Sequence, residues 1–297
     1  MHEIAVIPIS PQGTTIARTL RQELHATIIG RSSIGSHWAR FDAFVFIGAM
    51  GICVRTIAPY VKDKHTDPAV VCVDSFGHHA VSVLSGHVGG ANSLTQTVAA
   101  IIGAHPVITT QSYNAHLWAL DTFEQRFGWT VASPSSGHMN SCIFAFVNRE
   151  PVALLIEVSD EGTDYLEQTL PAHVTMIRDI SEADPAKYQL LIMVTPFVRR
   201  APSGMLVLHF VPMVGTIGFG LAHHPDNYEH ICDEINDALL RQGVLPCARR
   251  YFTIDVKKDE PFCAMLAARH TVGYFTAEEL AAVDVPTPSA TVDRLEA

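Results

Sequence analysis

Short apolar segments alternate with segments of helical length through most of the sequence, and this alternation restricts the chain to a small group of folds. Residues 3–9 are apolar and β-branched, residues 15–24 repeat apolar side chains at a helical spacing, and residues 41–47 are again apolar. A strand, a helix and a second strand in this order form a βαβ unit, in which the strands are parallel. We therefore expect an α/β fold built on parallel sheets.

The same pattern divides the chain into three predicted domains. Residues 1–112 are expected to form an N-terminal α/β domain with a parallel sheet, residues 113–205 a less regular middle α+β module, and residues 206–297 a C-terminal α/β domain. The N-terminal domain has further predicted strands at 26–29, 69–73, 80–84 and 105–109 and a helix at 93–102. The middle module has predicted strands at 142–147, 152–158 and 190–194. The C-terminal domain has predicted strands at 205–211, 216–218, 251–256 and 271–275 and helices at 226–241, 260–269 and 277–282.

Composition excludes several classes of protein. Hydrophobic residues make up 48% of the chain and charged residues 17%, which argues against disorder and against a coiled coil. The longest apolar stretch, residues 43–54, is shorter than the roughly 18 residues that a membrane-spanning helix needs. The first ten residues have no basic segment typical of a secretory signal, and the six cysteines are scattered without a CxxC pair. We expect a cytoplasmic protein with reduced thiols and no membrane contact.

Charge is distributed unevenly along the chain. The formal net charge is −10, which makes nucleic acid a poor candidate partner. Residues 1–110 carry seven basic and six acidic side chains, whereas residues 111–297 carry 13 basic and 24 acidic ones. The first third of the chain is therefore the expected place for an anionic ligand.

The first group of candidate functional residues follows the strand predicted at 41–47. Gly48 and Gly51 stand at a strand-to-helix turn before Arg55, where backbone amides bind anions well, although a tight turn with a solvated arginine explains them equally. Lys64 and Asp67 follow in a charged segment that also contains Lys62. Such a lysine stabilises an oxyanion or belongs to a solvated loop.

The most distinctive local motif is Ser85-Gly86-His87-Val88-Gly89-Gly90-Ala91-Asn92, between a predicted strand and a predicted helix. Open α/β sheets place ligands beyond the carboxyl ends of strands, and glycines let a backbone approach a ligand closely. His87 suits general base catalysis at neutral pH, and its alternative is a packed or surface histidine. Asn92 orients a ligand or caps the helix. His78, His79 and Asp74 with His87 match no standard zinc spacing, so no metal site is predicted.

Two weaker motifs lie in the predicted C-terminal domain. Gly215 and Gly218 belong to a glycine-rich strand exit that does not fit GxGxxG. Lys257 and Glu260 precede a predicted helix, where a polar helix start explains them equally well.

Taken in order, these motifs resemble the CbiG family of cobalamin-biosynthesis proteins, the cobalt-precorrin-5A hydrolases of the anaerobic corrinoid pathway. The resemblance rests on GAMGICVRTIAP (48–59), Lys64 followed by DPAVVCVD (67–74), LSGHVGGAN (84–92) and PVITT (106–110) in the N-terminal domain, and on GTIGFG (215–220), TIDVKKDE (253–260) and YFTAEEL (274–280) in the C-terminal domain. It covers nearly the whole chain, and the middle module matches by length and position.

The resemblance implies an enzyme that opens the δ-lactone of a cobalt tetrapyrrole with water and releases acetaldehyde. For this reaction we expect His87 and Lys64 to be the catalytic residues, with His87 as the base and with Lys64 or the backbone amides of Gly89, Gly90 and Ala91 stabilising the oxyanion. The residues implied in substrate binding are Gly48, Gly51, Arg55, Asp67, Gly86, Gly89, Gly90, Asn92, Thr109, Thr110, Gly215, Gly218, Lys257 and Glu260. The cobalt is carried by the substrate, and no cofactor bound by the protein is implied.

Two departures from the family pattern keep other functions open. Phe219-Gly220-Leu221-Ala222 stands where the family usually has a Cys- or Arg-containing stretch, and the resemblance implies a further glycine turn and helix beyond the last residue, Ala297. One alternative is a non-catalytic corrinoid carrier. Another is an α/β protein that binds a phosphorylated metabolite at Gly48–Gly51 or at Gly86–Gly90. Contact with other enzymes of corrin synthesis is expected under the family interpretation, and the sequence does not indicate an oligomeric state.

Overall fold

The computed structural model describes residues 3–63, 66–132, 138–220 and 228–283. The chain forms two compact units, Met1–Gln125 and Arg126–Ala297, and each is described by itself. The boundaries of the three domains inferred from the sequence remain a prediction.

The first unit is built on a six-stranded, mainly parallel sheet. Its strands are β1 (Ile4–Pro8), β2 (Thr27–Ile28), β3 (Ala43–Ile47), β4 (Ala69–Val73), β5 (His79–Leu84) and β6 (His105–Val107). They lie in the order β2-β1-β3-β4-β5-β6, and every neighbouring pair is parallel except β4 and β5. The predicted parallel α/β fold is confirmed.

The antiparallel pair results from the length of the connection between its strands. Only residues 74–78 separate β4 from β5, and a parallel pair needs a crossover of a dozen residues or more. Asp74 holds this turn: Oδ1 accepts the N–H of Phe76 at 2.9 Å and Oδ2 that of His79 at 2.6 Å. Gly77 adopts a φ of 75°, which the turn requires. Because β5 runs opposite to β4, the loop after β5 lies at the end of the sheet where β3 and β4 begin.

Helices cover both faces of this sheet. They are α1 (Gly13–Glu23), α2 (Ile34–His37), α3 (Met50–Ile57), α4 (Ala91–Ile102) and α5 (Gln111–Asn114), with short 3-10 turns at Arg31–Ser33 and Leu120–Thr122. Alternate strand residues face opposite sides, so Val45 packs with α1 and α4 whereas Phe44 packs with α2 and α3. The short helix α6 (Phe123–Phe127) contains the border between the two units.

The second unit contains a five-stranded sheet. Its strands are β7 (Thr130–Val131), β8 (Val152–Ile156), β9 (Val174–Ile177), β10 (Leu190–Val194) and β11 (Leu206–Val211), in the order β7-β11-β10-β8-β9. All neighbouring strands are parallel except β7 and β11. Strand β11 pairs with β10 along its length, so it extends this sheet, although the sequence pattern assigned it to the C-terminal domain.

One predicted strand in this unit is wrong. Residues 142–147 belong to helix α7 (Met139–Val147), not to a strand. Cys142, Ala145 and Phe146 are buried, whereas Phe144 is 68% exposed. This is the burial pattern of a helix with one face on the core, and a short apolar run does not distinguish it from a strand by periodicity alone.

A smaller sheet completes the second unit. Strands β12 (Gly215–Gly218), β13 (Ala248–Ile254) and β14 (Thr271–Phe275) are parallel and lie in this order. The remaining helices are α8 (Glu161–Gln168), α9 (Tyr228–Arg241), α10 (Pro261–Ala267) and α11 (Ala277–Ala281), with 3-10 turns at Ile180–Glu182 and Asp255–Lys257. Within the described ranges, no helix has both the length and the apolar character needed to cross a membrane.

The hairpin carboxylate predicts a pH-dependent stability. Burial raises the pKa of Asp74, but hydrogen bonds from the backbone of His79, Phe76 and His78 outweigh this and hold the pKa below its usual value. The carboxylate therefore stabilises the fold above the unfolded-state pKa of about 4, and this contribution is lost as the pH falls through the folded-state pKa.

Denaturant unfolding of the wild type and of Asp74→Asn at pH 7 and pH 3 measures this contribution. We expect the variant to be less stable at pH 7 and the difference to shrink at pH 3. Glu23→Gln removes an exposed carboxylate from the same unit and is the matched control. A difference that is equal at both pH values would contradict the assigned role of Asp74.

Candidate functional site

The candidate site forms where β5 and β6 end. These strands are parallel neighbours, so the loop at residues 85–90 and the segment at residues 108–112 lie at the same end of the sheet. Strand β4 begins at this end, and Asp67 precedes it. We call it the His87 end of the sheet.

The glycines of the loop are explained by close packing and by backbone conformation. A Cβ atom on Gly86 would lie 2.9 Å from Oδ1 of Asn92, and one on Gly89 would lie 2.4 Å from Cβ of Ser85. Gly90 has a φ of 82° where helix α4 begins. Ser85 itself has a φ of 55°, and its hydroxyl donates to the carbonyl of Asp67 at 2.9 Å. Close packing and the Ser85 hydrogen bond thus hold the loop against neighbouring backbone and side chains.

His87 projects from this loop and is half-buried. Its Nε2 lies 2.8 Å from Oγ of Ser112, which is 6% exposed and belongs to α5. Ser112 is the hydrogen-bond partner that the described residues provide for His87, so Nδ1 is left to accept or donate a proton elsewhere. A histidine whose ring is fixed through one nitrogen is suited to general acid or base catalysis through the other.

A buried amide network lies behind the histidine. Asn92 is 7% exposed, accepts the hydroxyl of Ser82 at 2.8 Å and donates to Oγ1 of Thr110 at 2.9 Å. Both the oxygen and the nitrogen of the Asn92 side chain are therefore engaged. These two hydrogen bonds connect β5, α4 and the segment after β6, so Asn92 stabilises the packing around the site. Thr109, the other threonine predicted to bind substrate, precedes Thr110 in the chain and is exposed.

The backbone donors proposed for an oxyanion are only partly available. The N–H of Gly90 donates to the carbonyl of His87 at 2.9 Å, and that of Ala91 donates to Ser85 at 3.1 Å. These two groups close the loop on itself, which corrects the expectation that all three amides face a ligand. Of the three, the N–H of Gly89 is the one that the described part of the chain leaves without a hydrogen-bond acceptor.

Asp67 has a structural role at the same end of the sheet. It is 6% exposed, and its Oδ2 accepts the N–H groups of Lys62 at 2.7 Å and of Asp63 at 2.9 Å. The carboxylate thus holds the loop that precedes β4. Lys64, the second predicted catalytic residue, lies outside the described residues.

The glycine pair after β3 is not part of this cluster. Gly48 follows Ile47, which pairs with Val73 at the carboxyl end of β4, whereas Leu84 pairs with Val70 near the other end of that strand. Gly48, Gly51 and Arg55 therefore belong to the opposite end of the sheet from His87. A Cβ on Gly51 would lie 3.4 Å from Nη1 of Arg55, so the guanidinium packs over this glycine.

The turn at residues 74–78 also lies at this opposite end. Asp74, His78 and His79 are therefore separated from His87. Within the described ranges, no group of three or more His, Cys, Asp and Glu side chains is arranged to hold a metal ion.

The four predicted residues of the C-terminal motifs lie in the second unit. Gly215 donates its N–H to the carbonyl of Cys247 at 2.8 Å, and Gly218 has open space where a side chain would project. Nζ of Lys257 lies 3.6 Å from Oε1 of Glu260, and the two side chains are 13% and 5% exposed. Gly215 and Gly218 are the first and last residues of β12. Lys257 and Glu260 follow the carboxyl end of β13, where a ligand would meet a buried ion pair.

Two residues of the site were not predicted from the sequence. Ser112 and Ser82 occupy no motif, and serine is too common for either to be singled out. Only the sheet topology could have identified Ser112, because the segment after β6 meets the loop after its parallel neighbour β5. This inference requires knowing that β5 and β6 are adjacent.

Comparison with known proteins agrees with the resemblance along the chain. Family models match at residues 32–112 (cobalamin synthesis G N-terminal), 118–209 (cobalamin biosynthesis central region) and 216–295 (cobalamin synthesis G C-terminus). The cobalt-precorrin-5A hydrolase of Priestia megaterium is 30% identical over 318 aligned positions, which cover 98% of this chain and 84% of that protein. The cobalt-precorrin-5A hydrolase of Salmonella typhimurium is 39% identical over 137 residues, 41% of this chain and 39% of that protein.

A solved structure is also similar. The crystal structure of a cobalamin biosynthesis protein G homologue from Sulfolobus solfataricus has a TM-score of 0.45 and 20% sequence identity, and the match covers 97% of this chain and 85% of that one. On the strength of the three family models and of the Priestia megaterium relative, this chain belongs to the CbiG family of cobalamin-biosynthesis proteins.

Proposed function

We propose that this protein is a cobalt-precorrin-5A hydrolase, which opens the δ-lactone of a cobalt tetrapyrrole with water and releases acetaldehyde. The names of the two relatives support the substrate and the reaction class. The observation that carries the catalytic part is the 2.8 Å contact between Nε2 of His87 and Oγ of Ser112 in a loop held by close glycine packing. This contact fixes an imidazole at an open end of the sheet.

In the proposed reaction His87 acts as the general base. The water oxygen attacks the lactone carbonyl carbon while Nδ1 of His87 takes the water proton, because Nε2 is held by Ser112. The tetrahedral intermediate collapses when the bond to the ring oxygen breaks. The departing alkoxide takes the proton from Nδ1 of His87 and becomes an alcohol, and the new carboxylic acid loses its proton to solvent. The alcohol then loses its O–H proton, and its carbon–oxygen bond becomes the C=O of acetaldehyde as the carbon–carbon bond to the macrocycle breaks. The electron pair of that bond stays on the macrocycle, which takes up a proton.

The negative charge that develops on the carbonyl oxygen needs a hydrogen-bond donor. The N–H of Gly89 is our candidate on the described loop, and Lys64 is the candidate from sequence. The remaining glycines and Asn92 act by holding the loop, since their contacts lie within the protein. The cobalt enters with the substrate, and the proposal needs no cofactor held by the protein.

Removal of the base tests the proposal directly. We expect His87→Gln to lower the rate of acetaldehyde release about 10²- to 10⁴-fold, because the water loses its proton acceptor. The measurement is anaerobic release of acetaldehyde from cobalt-precorrin-5A, followed with alcohol dehydrogenase and NADH.

The matched control is His105→Gln, an exposed histidine where β6 begins, at the opposite end of the sheet. Equal rates for His87→Gln and wild type would remove His87 from the mechanism. A wild-type protein that binds the tetrapyrrole but releases no acetaldehyde would favour the carrier function instead.

Ser112 is predicted to position the imidazole without reacting itself. Loss of its hydroxyl in Ser112→Ala should lower kcat about tenfold, the value of roughly one hydrogen bond, and should move the pH dependence of kcat. Ser112→Thr keeps a hydroxyl and should restore most of the rate and the original pH profile. Ser93→Ala, an exposed serine on α4, is the control.

The same variants separate positioning from nucleophilic attack by Ser112. A Ser112→Ala protein as inactive as His87→Gln, together with an acyl-enzyme on the wild type trapped by hydroxylamine, would show that Ser112 reacts covalently. An unchanged rate and pH profile in Ser112→Ala would show that the contact has no catalytic role.

A further inference from the structure

The second unit contains a cavity whose lining includes none of the residues discussed above as candidates for catalysis. Its volume is about 620 Å³, within the range of roughly 300–1,000 Å³ typical of small-molecule sites. Most of its wall is apolar, from Met193, Val198, Ala201, Met205 and Leu245. Such a wall favours the apolar body of a ligand over a bare ion or a sugar.

One charged group of the wall is rigidly oriented. The guanidinium of Arg199 donates from Nη2 to Oε1 of Glu157 at 2.6 Å and from Nε to Oε2 at 2.9 Å, and it lies 5.1 Å from the ring centroid of Phe197. Thr195 donates its hydroxyl to the same carboxylate at 2.8 Å. A bidentate ion pair of this kind fixes the plane of the guanidinium.

The ion pair remains charged at neutral pH. Burial raises the pKa of Glu157, but the hydrogen bonds from Arg199 and Thr195 outweigh this and hold the pKa below its usual value. The bonds to Glu157 occupy Nε and Nη2, so within the described residues Nη1 of Arg199 is the guanidinium nitrogen left for a ligand. The Arg199 side chain is 34% exposed and lines the cavity.

The position of the pair in the fold agrees with ligand binding. Glu157 follows the last residue of β8 and Thr195 follows the last residue of β10, and these two strands are parallel neighbours. Open α/β sheets bind ligands beyond the carboxyl ends of their strands. A purely structural ion pair needs neither this location nor an apolar cavity beside it.

We infer that this cavity is a binding site for an organic anion with an apolar body, in which Arg199 holds a carboxylate and the apolar wall covers the adjoining ring. Under the function proposed above, on which this assignment of the ligand rests, the anion is an apolar edge of the tetrapyrrole that carries a peripheral carboxylate. The cavity thus supplies affinity for the substrate class, and it contributes no group to the chemistry.

Binding of two cobalt corrinoids to the full-length protein tests the inference. Cobyrinic acid carries peripheral carboxylates, whereas in cobinamide the corresponding groups are amides, and both are followed by their visible absorbance. Ala201→Phe places a bulky side chain in the cavity, and we expect it to weaken cobyrinic acid binding at least tenfold. Ala186→Phe, at an exposed alanine outside the cavity wall, is the matched control and should bind like the wild type.

A second variant tests the role of charge. The double substitution Glu157→Gln with Arg199→Gln removes both charges together, so neither partner is left as an unpaired ion. We expect about tenfold weaker binding of cobyrinic acid and little change for cobinamide. Circular dichroism and denaturant unfolding of each variant establish that it is folded.

The outcomes separate this inference from the proposed function. Undiminished cobyrinic acid binding by a folded Ala201→Phe protein, or no binding by the wild type, would overturn the cavity site whether or not acetaldehyde is released. Cavity-dependent binding without acetaldehyde release would support the site and overturn the hydrolase. Equal losses for cobyrinic acid and cobinamide in the double variant would overturn the role of Arg199 while the effect of Ala201→Phe supports the apolar wall.

Discussion

The arrangement of the candidate site depends on the antiparallel pairing of β4 with β5. A connection of five residues leaves these strands no other way to pair, and the carboxylate of Asp74 secures the turn by accepting two backbone N–H groups. Strand β6 then runs parallel to β5, so the segments after both strands reach the same end of the sheet. The contact between His87 and Ser112 follows from this reversal. If β5 were parallel to β4, the His87 loop would lie at the same end of the sheet as Gly48.

Gly86 and Gly89 of the His87 loop matter because they have no side chain, which leaves room for Asn92 and Ser85 to pack against them. A side chain at Gly86 would displace Asn92, and one at Gly89 would collide with Ser85. The amides of Gly90 and Ala91 are consumed inside the loop. A glycine-rich loop is commonly interpreted as a cradle for a ligand, but here its main consequence is a tightly packed support that places one histidine. Of the three amides considered as oxyanion donors, the N–H of Gly89 is the one without an acceptor among the described residues.

Much of the fold was predictable because its strands are short, apolar and separated by helices. The strands at residues 69–73, 190–194 and 271–275 have the predicted bounds. The prediction failed where local pattern carries too little information. Helix α7 has an apolar run as short as a strand, and only its pattern of burial distinguishes the two.

The site was predictable only in part for a related reason. His87 and its glycines form a local motif, whereas Ser112 is brought to His87 by the order and direction of two strands. The direction of β5 was in fact contained in the sequence, since the six residues between the strands predicted at 69–73 and 80–84 are too few for a parallel crossover. The pairing of β5 with β6 could not be predicted from the sequence, because no local pattern specifies which strands lie side by side.

The same topological argument changes how the charges of the chain are interpreted. The near-neutral first third of the sequence favours an anionic ligand by its total charge, but Arg55 packs over Gly51, at the opposite end of the sheet from His87. Net charge of a segment therefore does not say which cations act together. In the acidic remainder of the chain, Arg199 is held by Glu157 and lines an apolar cavity. A fixed cation at the end of a parallel sheet is a better indication of anion recognition than a local excess of lysine and arginine, because orientation rather than number determines whether a carboxylate is bound.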